Sequence, residues 1–382
     1  MRTVALDLGA RRVDFCEITD GGAIQRGVLA GLSQLHRRLG PETPPARVAF
    51  EACREGWYVA DRLTAWGHEP VMVDTTRVKQ LGIGQHGRKN DRIDAEVLAT
   101  ALLSGRIPQA HILSPARQKL RLKLAVRRSL VATRAEYVTS IRGMVRARGG
   151  SIPKCRTCDF LAKLGEMALD EEAQKLVEPL RAALDVLARQ IAEMDLQIEQ
   201  LCEGEPVIRR LMTVPCIGSV VAAAFVSVID EAGRFRNAHQ VESYLGLVPS
   251  EDTTGGRRRL GAISKAGNSY LRSLLVEVSW TLLRKKDDDP LARWARQIAR
   301  RRGARIAVVA LARRLAGVLW AVWRDGAVYD AQRVGLKSAE GVSRHAHERE
   351  FQAQALRGAA NKAATRVRLA RRTLAASRKD SQ

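Results

Sequence analysis

The sequence predicts an α/β domain at its start and a longer, mainly helical remainder. Three observations carry that expectation. Short β-branched runs alternate with helical stretches over the first hundred or so residues, as in a sheet covered by helices. Apolar residues then recur at steps of four and three from Leu180 onward. Ala, Leu, Val and Arg dominate, while aromatics make up only 4% of 382 residues, which leans the chain toward helix. A chain of this length suits two or three domains.

The elements follow in order. TVALDLG and VDFCEIT read as strands (Thr3 to Gly9, Val13 to Thr19) joined by a tight turn over Gly9 to Arg12. ARVAFEA (Ala46 to Ala52) is a third strand after the breaker PETPP. A helix is expected from Gly56 to Trp66, and HEPVMVDT (His68 to Thr75) is a fourth strand. The Gly-rich loop GIGQHGRKN precedes a helix that opens at Asp91 and ends at Gly105.

After Pro115 the chain becomes long, basic helix. Leu180, Leu184, Leu187, Ile191, Met194, Ile198 and Leu201 trace a heptad seam flanked by Glu and Gln. A hairpin within one chain and a coiled coil between two chains would both bury it. VPCIG (Val214 to Gly218) then leads into the apolar helix SVVAAAFVSVI, and such a loop points backbone N–H groups at a phosphate. A Gly- and Arg-rich turn, EDTTGGRRRLGAISKAGN, is followed by helices at Ser269 to Leu283, Pro290 to Arg301 and Ile306 to Trp323. The expected domains are 1–112, 113–205, 206–325 and a mobile or weakly helical basic tail, 326–382.

Charge narrows the function. A net charge of +23 and a sequence pI near 10.6 exceed what solubility requires. Neutralising phosphates releases condensed counterions, so a polyanionic partner is the usual cause of such an excess. The basic residues cluster in RLKLAVRRSLVATR, GGRRR and ARQIARRRGAR, against an even scatter over a solvated surface. No run of eighteen apolar residues and no signal-peptide layout is present, so a soluble, cytoplasmic, nucleoid-associated bacterial protein is expected, with no membrane partner. Of six cysteines only Cys155 and Cys158 form a CxxC, weak support for zinc without a second pair.

Four acids stand out. Asp7 interrupts an apolar first strand, where burying a carboxylate is expensive without a cation. Glu51 repeats the pattern at the end of ARVAFE. Asp91 and Asp94 project from one face at a helix start. Acids so placed can surround a pair of magnesium ions that stabilise the attacking and leaving oxygens of a phosphodiester. Each has a plainer reading. Asp91 suits a helix N-cap, Asp94 could pair with Arg92 or Lys89, and Asp7 in DLGA would also suit a sugar-kinase-like ATPase.

The succession ALDLG, AFEA, KNDRIDAEVLA, a coiled segment, VPCIG, YLGLVPS and GAISKAGNSYLRSLL resembles the DEDD-type insertion-sequence transposases, a family that includes bridge-RNA-guided recombinases and pilin-gene invertases. The resemblance spans about residues 1–325. It implies a RuvC-like, RNase-H-like N-terminal domain in which Asp7, Glu51, Asp91 and Asp94 hold Mg2+. It also implies a dimerising coiled coil, a helical C-terminal transposase domain, DNA as donor and target, and a bridge RNA as guide. The family's attacking serine precedes a glycine after the G-L-x-P turn, and PSEDTTGG puts Thr254 there. Threonine keeps the hydroxyl but is more hindered. Ser250, Thr253 and Ser264 are fallbacks, although hydroxyls in a turn often bond their own backbone.

Arg257, Arg258, Arg259 and Lys265 flank that turn and would clamp the scissile phosphate, with Gly218 as a further phosphate contact. An exposed basic loop would also suit three consecutive arginines. Two rival functions stay open: the ATPase, for which no second DxG-type turn is found, and a binding-only DNA protein that has lost its chemistry.

Overall fold

The computed structural model describes residues 2–9, 11–75, 77, 91–254, 257–285 and 289–334. The Gly-rich loop GIGQHGRKN and most of the basic tail lie outside them. The chain divides into two compact units, Met1–Ser114 and Pro115–Gln382.

The first unit is a five-stranded sheet in the order β3-β2-β1-β4-β5. β1 (Arg2–Leu8), β2 (Val13–Ile18) and β3 (Ile24–Leu29) form an antiparallel meander, and β4 (Ala46–Glu51) and β5 (Glu69–Val73) run parallel to β1. α1 (Leu35–Leu39) and α2 (Gly56–Ala65) serve one face, and α3 (Asp91–Leu103) packs on the other. Period-two alternation sorts the side chains between two cores. Val4, Leu6, Phe15, Val48 and Phe50 join Val59 and Leu63 of α2 in the first, while Ala5, Cys16, Ala49 and Val73 meet Ala95, Leu98, Ala99 and Leu102 of α3 in the second.

The sequence pattern does not show β3. It is an exposed edge strand with polar residues, and its Gly27 stands opposite Phe15, where a Cβ would meet the ring at 2.6 Å. The ring fills the space that a side chain would need, so this strand carries no apolar signature of its own.

The second unit is mainly helical. α4 (Pro115–Ala147) and α6 (Glu171–Glu203), joined through α5 (Phe160–Gly165), form an antiparallel hairpin of two 33-residue helices. Arg117 bonds Glu205 and Arg127 bonds Asp195, which fixes the direction of that pairing. The heptad seam is covered from within the chain. Leu184, with Leu180 and Leu187, packs on Ile141 and Val145, and Ile198 with Leu201 joins Leu120 and Leu124.

Beyond the hairpin lie α7 (Pro206–Leu211), α8 (Ser219–Ile229), α9 (Ala238–Tyr244), a ribbon of β6 (Pro249–Thr254) and β7 (Arg257–Ile263), α10 (Ser269–Arg284), α11 (Pro290–Arg302) and α12 (Ala304–Arg324). α12 is long and apolar enough by composition to cross a membrane, but Leu311, Leu315, Leu319 and Trp320 place it in the core with α8 and α10.

Candidate active site

β1 and β4 place the first two acids. Leu6 pairs with Phe50 in parallel register, so Asp7 and Glu51 follow side by side at the carboxyl ends of neighbouring strands. Strands lie about 4.8 Å apart in this direction. Asp7 is two residues past Ala5 and Glu51 two past Ala49, so both fall on the face that α3 covers. Asp94 comes from that helix, one residue before its buried Ala95, and Asp91 opens it. Asp7, Glu51 and Asp94 are each half-buried and engaged in a polar or electrostatic interaction, and the Asp91 side chain lies outside the described residues.

A fifth acid, Asp14, stands opposite Asp7 and carries no signal in the sequence. It faces Asp7 across the β1–β2 pair, is only 4% exposed, and is gripped by Arg12 through two hydrogen bonds of 2.6 Å. Period-two alternation within VDFCEIT would have placed it on the Cys16 face, but nothing marked that face as the one carrying the acids. Under α3 the site grades into a dry layer, where burial, with Glu96 adding to it, pushes the Cys16 thiol above its ordinary value.

Paired hard-oxygen donors at strand ends suit a divalent cation. Among the described residues, no three Asp, Glu, His or Cys side chains stand close enough to hold one. Asp7, Asp14, Glu51 and Asp94 are all described, so a ligand set here would need the side chain of Asp91, which lies outside the described residues.

The second group of expected site residues lies in the other unit. The turn EDTTGG is a β-ribbon, with Thr254 facing Arg257, Thr253 facing Arg258 and Asp252 facing Arg259. The side chains of residues 252–259, Thr254 among them, lie outside the described residues, as do Gly255 and Gly256 altogether. The dipeptide Gly-Gly between two largely polar runs was the available hairpin signal. Ser250 donates its hydroxyl to the Ala262 carbonyl at 3.1 Å, a turn-stabilising use. Ser264 and Lys265 are exposed at the ribbon base, where their amides bond Val248 and Gly246.

That base is held by backbone against backbone. Gly246 and Gly267 both have positive φ, and a Cβ on either would come within 2.0 to 2.1 Å of Ala266 or Tyr244 oxygen. Arg272 ties the two turns by donating to the Leu245 and Ala266 carbonyls, each at 3.1 Å. Gly218 sits at the N-cap of α8 in extended conformation, and Ser219 beside it donates to Glu199 of α6 at 3.4 Å. A carboxylate thus already stands at this helix start, in competition with any phosphate.

Both groups of residues fall within matches to known families. A DEDD-type model described as a transposase matches residues 4–147, and a model described as the transposase IS116/IS110/IS902 family matches residues 208–295. The chain is 32% identical over 289 residues to a probable family 20 transposase of Pseudomonas aeruginosa, covering 74% of this chain and 85% of that protein. It is 25% identical over 336 residues to the transposase for insertion sequence element IS1328 of Yersinia enterocolitica, covering 85% and 98%. A third relative, the transposase for insertion sequence element IS1111A of Coxiella burnetii, is 26% identical over 243 residues, covering 61% and 66%. An α/β sheet bearing paired carboxylates, a helical remainder bearing a basic ribbon, and these matches lead to one conclusion: the chain belongs to the DEDD-type insertion-sequence transposases, enzymes that act on DNA.

Proposed function

We propose that this transposase cuts and rejoins DNA strands with Mg2+ held by Asp7, Glu51, Asp91 and Asp94, and with the Thr254 hydroxyl as the attacking group. The observation that carries this reading is the side-by-side placement of Asp7 and Glu51 at the ends of parallel strands, under the helix that supplies Asp91 and Asp94. The strand order β3-β2-β1-β4-β5, with β2 antiparallel, supports an RNase-H-like fold for this unit. Asp7, Glu51, Asp91 and Asp94 would hold a divalent ion there, which would supply positive charge to the scissile phosphate. Thr254 oxygen would bond phosphorus as the bridging oxygen of the scissile phosphodiester departs and takes up a proton. Arg257, Arg258, Arg259 and Lys265, on the ribbon beside Thr254, would hold the phosphate. Gly218 would be a lesser contact.

The same reading takes 1–112, 113–205, 206–325 and 326–382 as functional segments, a bridge RNA as guide, and a second copy of the chain as partner through the α4–α6 hairpin. The matches to transposases favour strand transfer over the ATPase and binding-only readings.

A strand-transfer assay with end-labelled DNA tests it. Asp7→Asn is expected to abolish metal-dependent cleavage and spare DNA binding, and Thr254→Ala to remove any covalent protein–DNA adduct while Thr254→Ser keeps it. Cleavage by Asp7→Asn in EDTA, or an adduct from Thr254→Ala, would overturn the respective assignment.

A further inference from the structure

Arg12 enters none of the roles proposed above. It closes the turn between β1 and β2, where the Gly9 amide donates to its carbonyl at 2.9 Å. A Cβ on Gly9 would meet that same oxygen at 2.7 Å, so the turn is this tight only with glycine there. The Arg12 backbone is thereby fixed at the carboxyl end of β1, the end at which Asp7 and Glu51 stand. Its guanidinium is drawn onto the acid face by Asp14, which lies opposite Asp7. Both Asp14 oxygens accept from it, one from Nε and one from Nη2, each at 2.6 Å. Among the described residues, Asp14 included, no three Asp, Glu, His or Cys side chains could hold a metal ion together. Asp14 is placed to hold Arg12.

The two partners differ in exposure. The Asp14 side chain is 6% exposed and that of Arg12 is 60% exposed. Glu17, on the opposite face of the same strand, is buried as deeply, but the two arginines that close over it are only 18% and 25% exposed. That cluster is sealed, as a structural ion group is. Burying a carboxylate to anchor a cation that stays in solvent costs desolvation with no matching gain in packing. It is the arrangement that holds a cation ready for an anion from outside.

We propose that Arg12 contacts DNA: its guanidinium, held by Asp14, donates to a non-bridging oxygen of the phosphate that lies over Asp7 and Glu51. A guanidinium carries five N–H groups in a fixed fork, so one cation can bond a carboxylate on one edge and a phosphate on another. Its charge also answers a difficulty of the site. Asp7, Asp14 and Glu51 stand on adjacent strands and would repel an anionic backbone, which a cation at their rim draws in. Asp14 is a positioning residue, setting where the fork lies. The inference rests on the reading of Asp7 and Glu51 as the acids that work on DNA, and adds a residue to that site.

Duplex-DNA binding by the full chain in EDTA, and strand cleavage with Mg2+, test it. Arg12→Gln with Asp14→Asn removes both charges and keeps a neutral hydrogen-bonding pair, so this double variant is expected to melt near the wild type. Its slope of log affinity against log salt should be smaller by about one. Its cleavage at saturating DNA should be slower by about a hundredfold. Arg12→Lys keeps the charge without the fork, and should hold the wild-type slope yet still cleave slowly. A wild-type slope or a wild-type rate in the double variant overturns the assignment, as does an Arg12→Lys protein that cleaves at full rate. Should the double variant fail to fold, the lysine variant decides alone. The acids are tested separately. Cleavage retained by Asp7→Asn, beside a reduced slope in the double variant, defeats the acid reading and leaves Arg12 as a DNA contact. Cleavage lost in Asp7→Asn, beside a wild-type slope in the double variant, defeats the Arg12 assignment alone.

Discussion

At the scale of single residues, the acids divide by how much of their surroundings the sequence displays. Asp7 and Glu51 were legible because each breaks an apolar run, and β-strand parity then put them on one face. Asp14 was not legible. In VDFCEIT it alternates as any half-exposed strand residue would, and only the antiparallel register reveals Asp7 opposite. Glu17, in the same strand, shows what a purely structural acid does here. It is 4% exposed and accepts from Arg2 at 2.7 Å and from Arg38 at 2.5 Å. Burial works against its charge, but the two guanidinium groups outweigh it and hold the carboxyl below its ordinary value. A lowered folded-state value means stability that is complete at neutral pH and drains away as pH falls below the ordinary carboxylate range. Glu17→Gln is expected to cost about 1.5–3 kcal/mol at pH 7 and to flatten the acid limb of a urea-midpoint profile. An acid limb identical to that of the wild type would contradict this account.

Among the elements, helices and buried strands were legible and edge structure was not. The bounds of β1, β2, β4, α2 and α3 agree with the pattern to within two residues, because each carries a strong apolar period. β3 and the β6–β7 ribbon lack one: the first packs a glycine under an aromatic ring, and the second is polar on both strands. The heptad seam posed a different problem. Period alone reports that a helix has a partner, never which one. Leu184, Ile191 and Ile198 are buried, the first and last against α4 of the same chain, so truncating Leu184 to Ala should lower hairpin stability by about 2–5 kcal/mol. A charge at Leu187 would break that packing too. An interface between copies is better probed on the outer faces, where Leu122 and Val126 of α4 are exposed one turn apart. Leu122→Glu with Val126→Glu should reduce the sedimentation coefficient while leaving the melting temperature of the hairpin in place. An unchanged coefficient would remove this face as the contact.

Over the whole molecule, the sequence announced two characters, alternating α/β and basic helix, and the structure divides the chain where one gives way to the other, between Ser114 and Pro115. Composition sets such a division because a mixed sheet and a helical hairpin each bury apolar surface in their own way. What composition could not show is that each character closes its own cores: two clusters line the faces of the sheet, and two others belong wholly to the second unit. Scanning calorimetry is therefore expected to resolve two unfolding transitions, and Leu63→Ala should lower one of them without moving the other. A single cooperative transition shifted as a whole would refute that independence. The division also has a hereditary meaning. A crossover in the coding sequence at Pro115 joins the α/β half of one relative to the helical half of another without asking any core to repack. Acids and ribbon can then be inherited separately, and a gene that lives by cutting DNA carries, in its own reading frame, a place where it can be cut and survive.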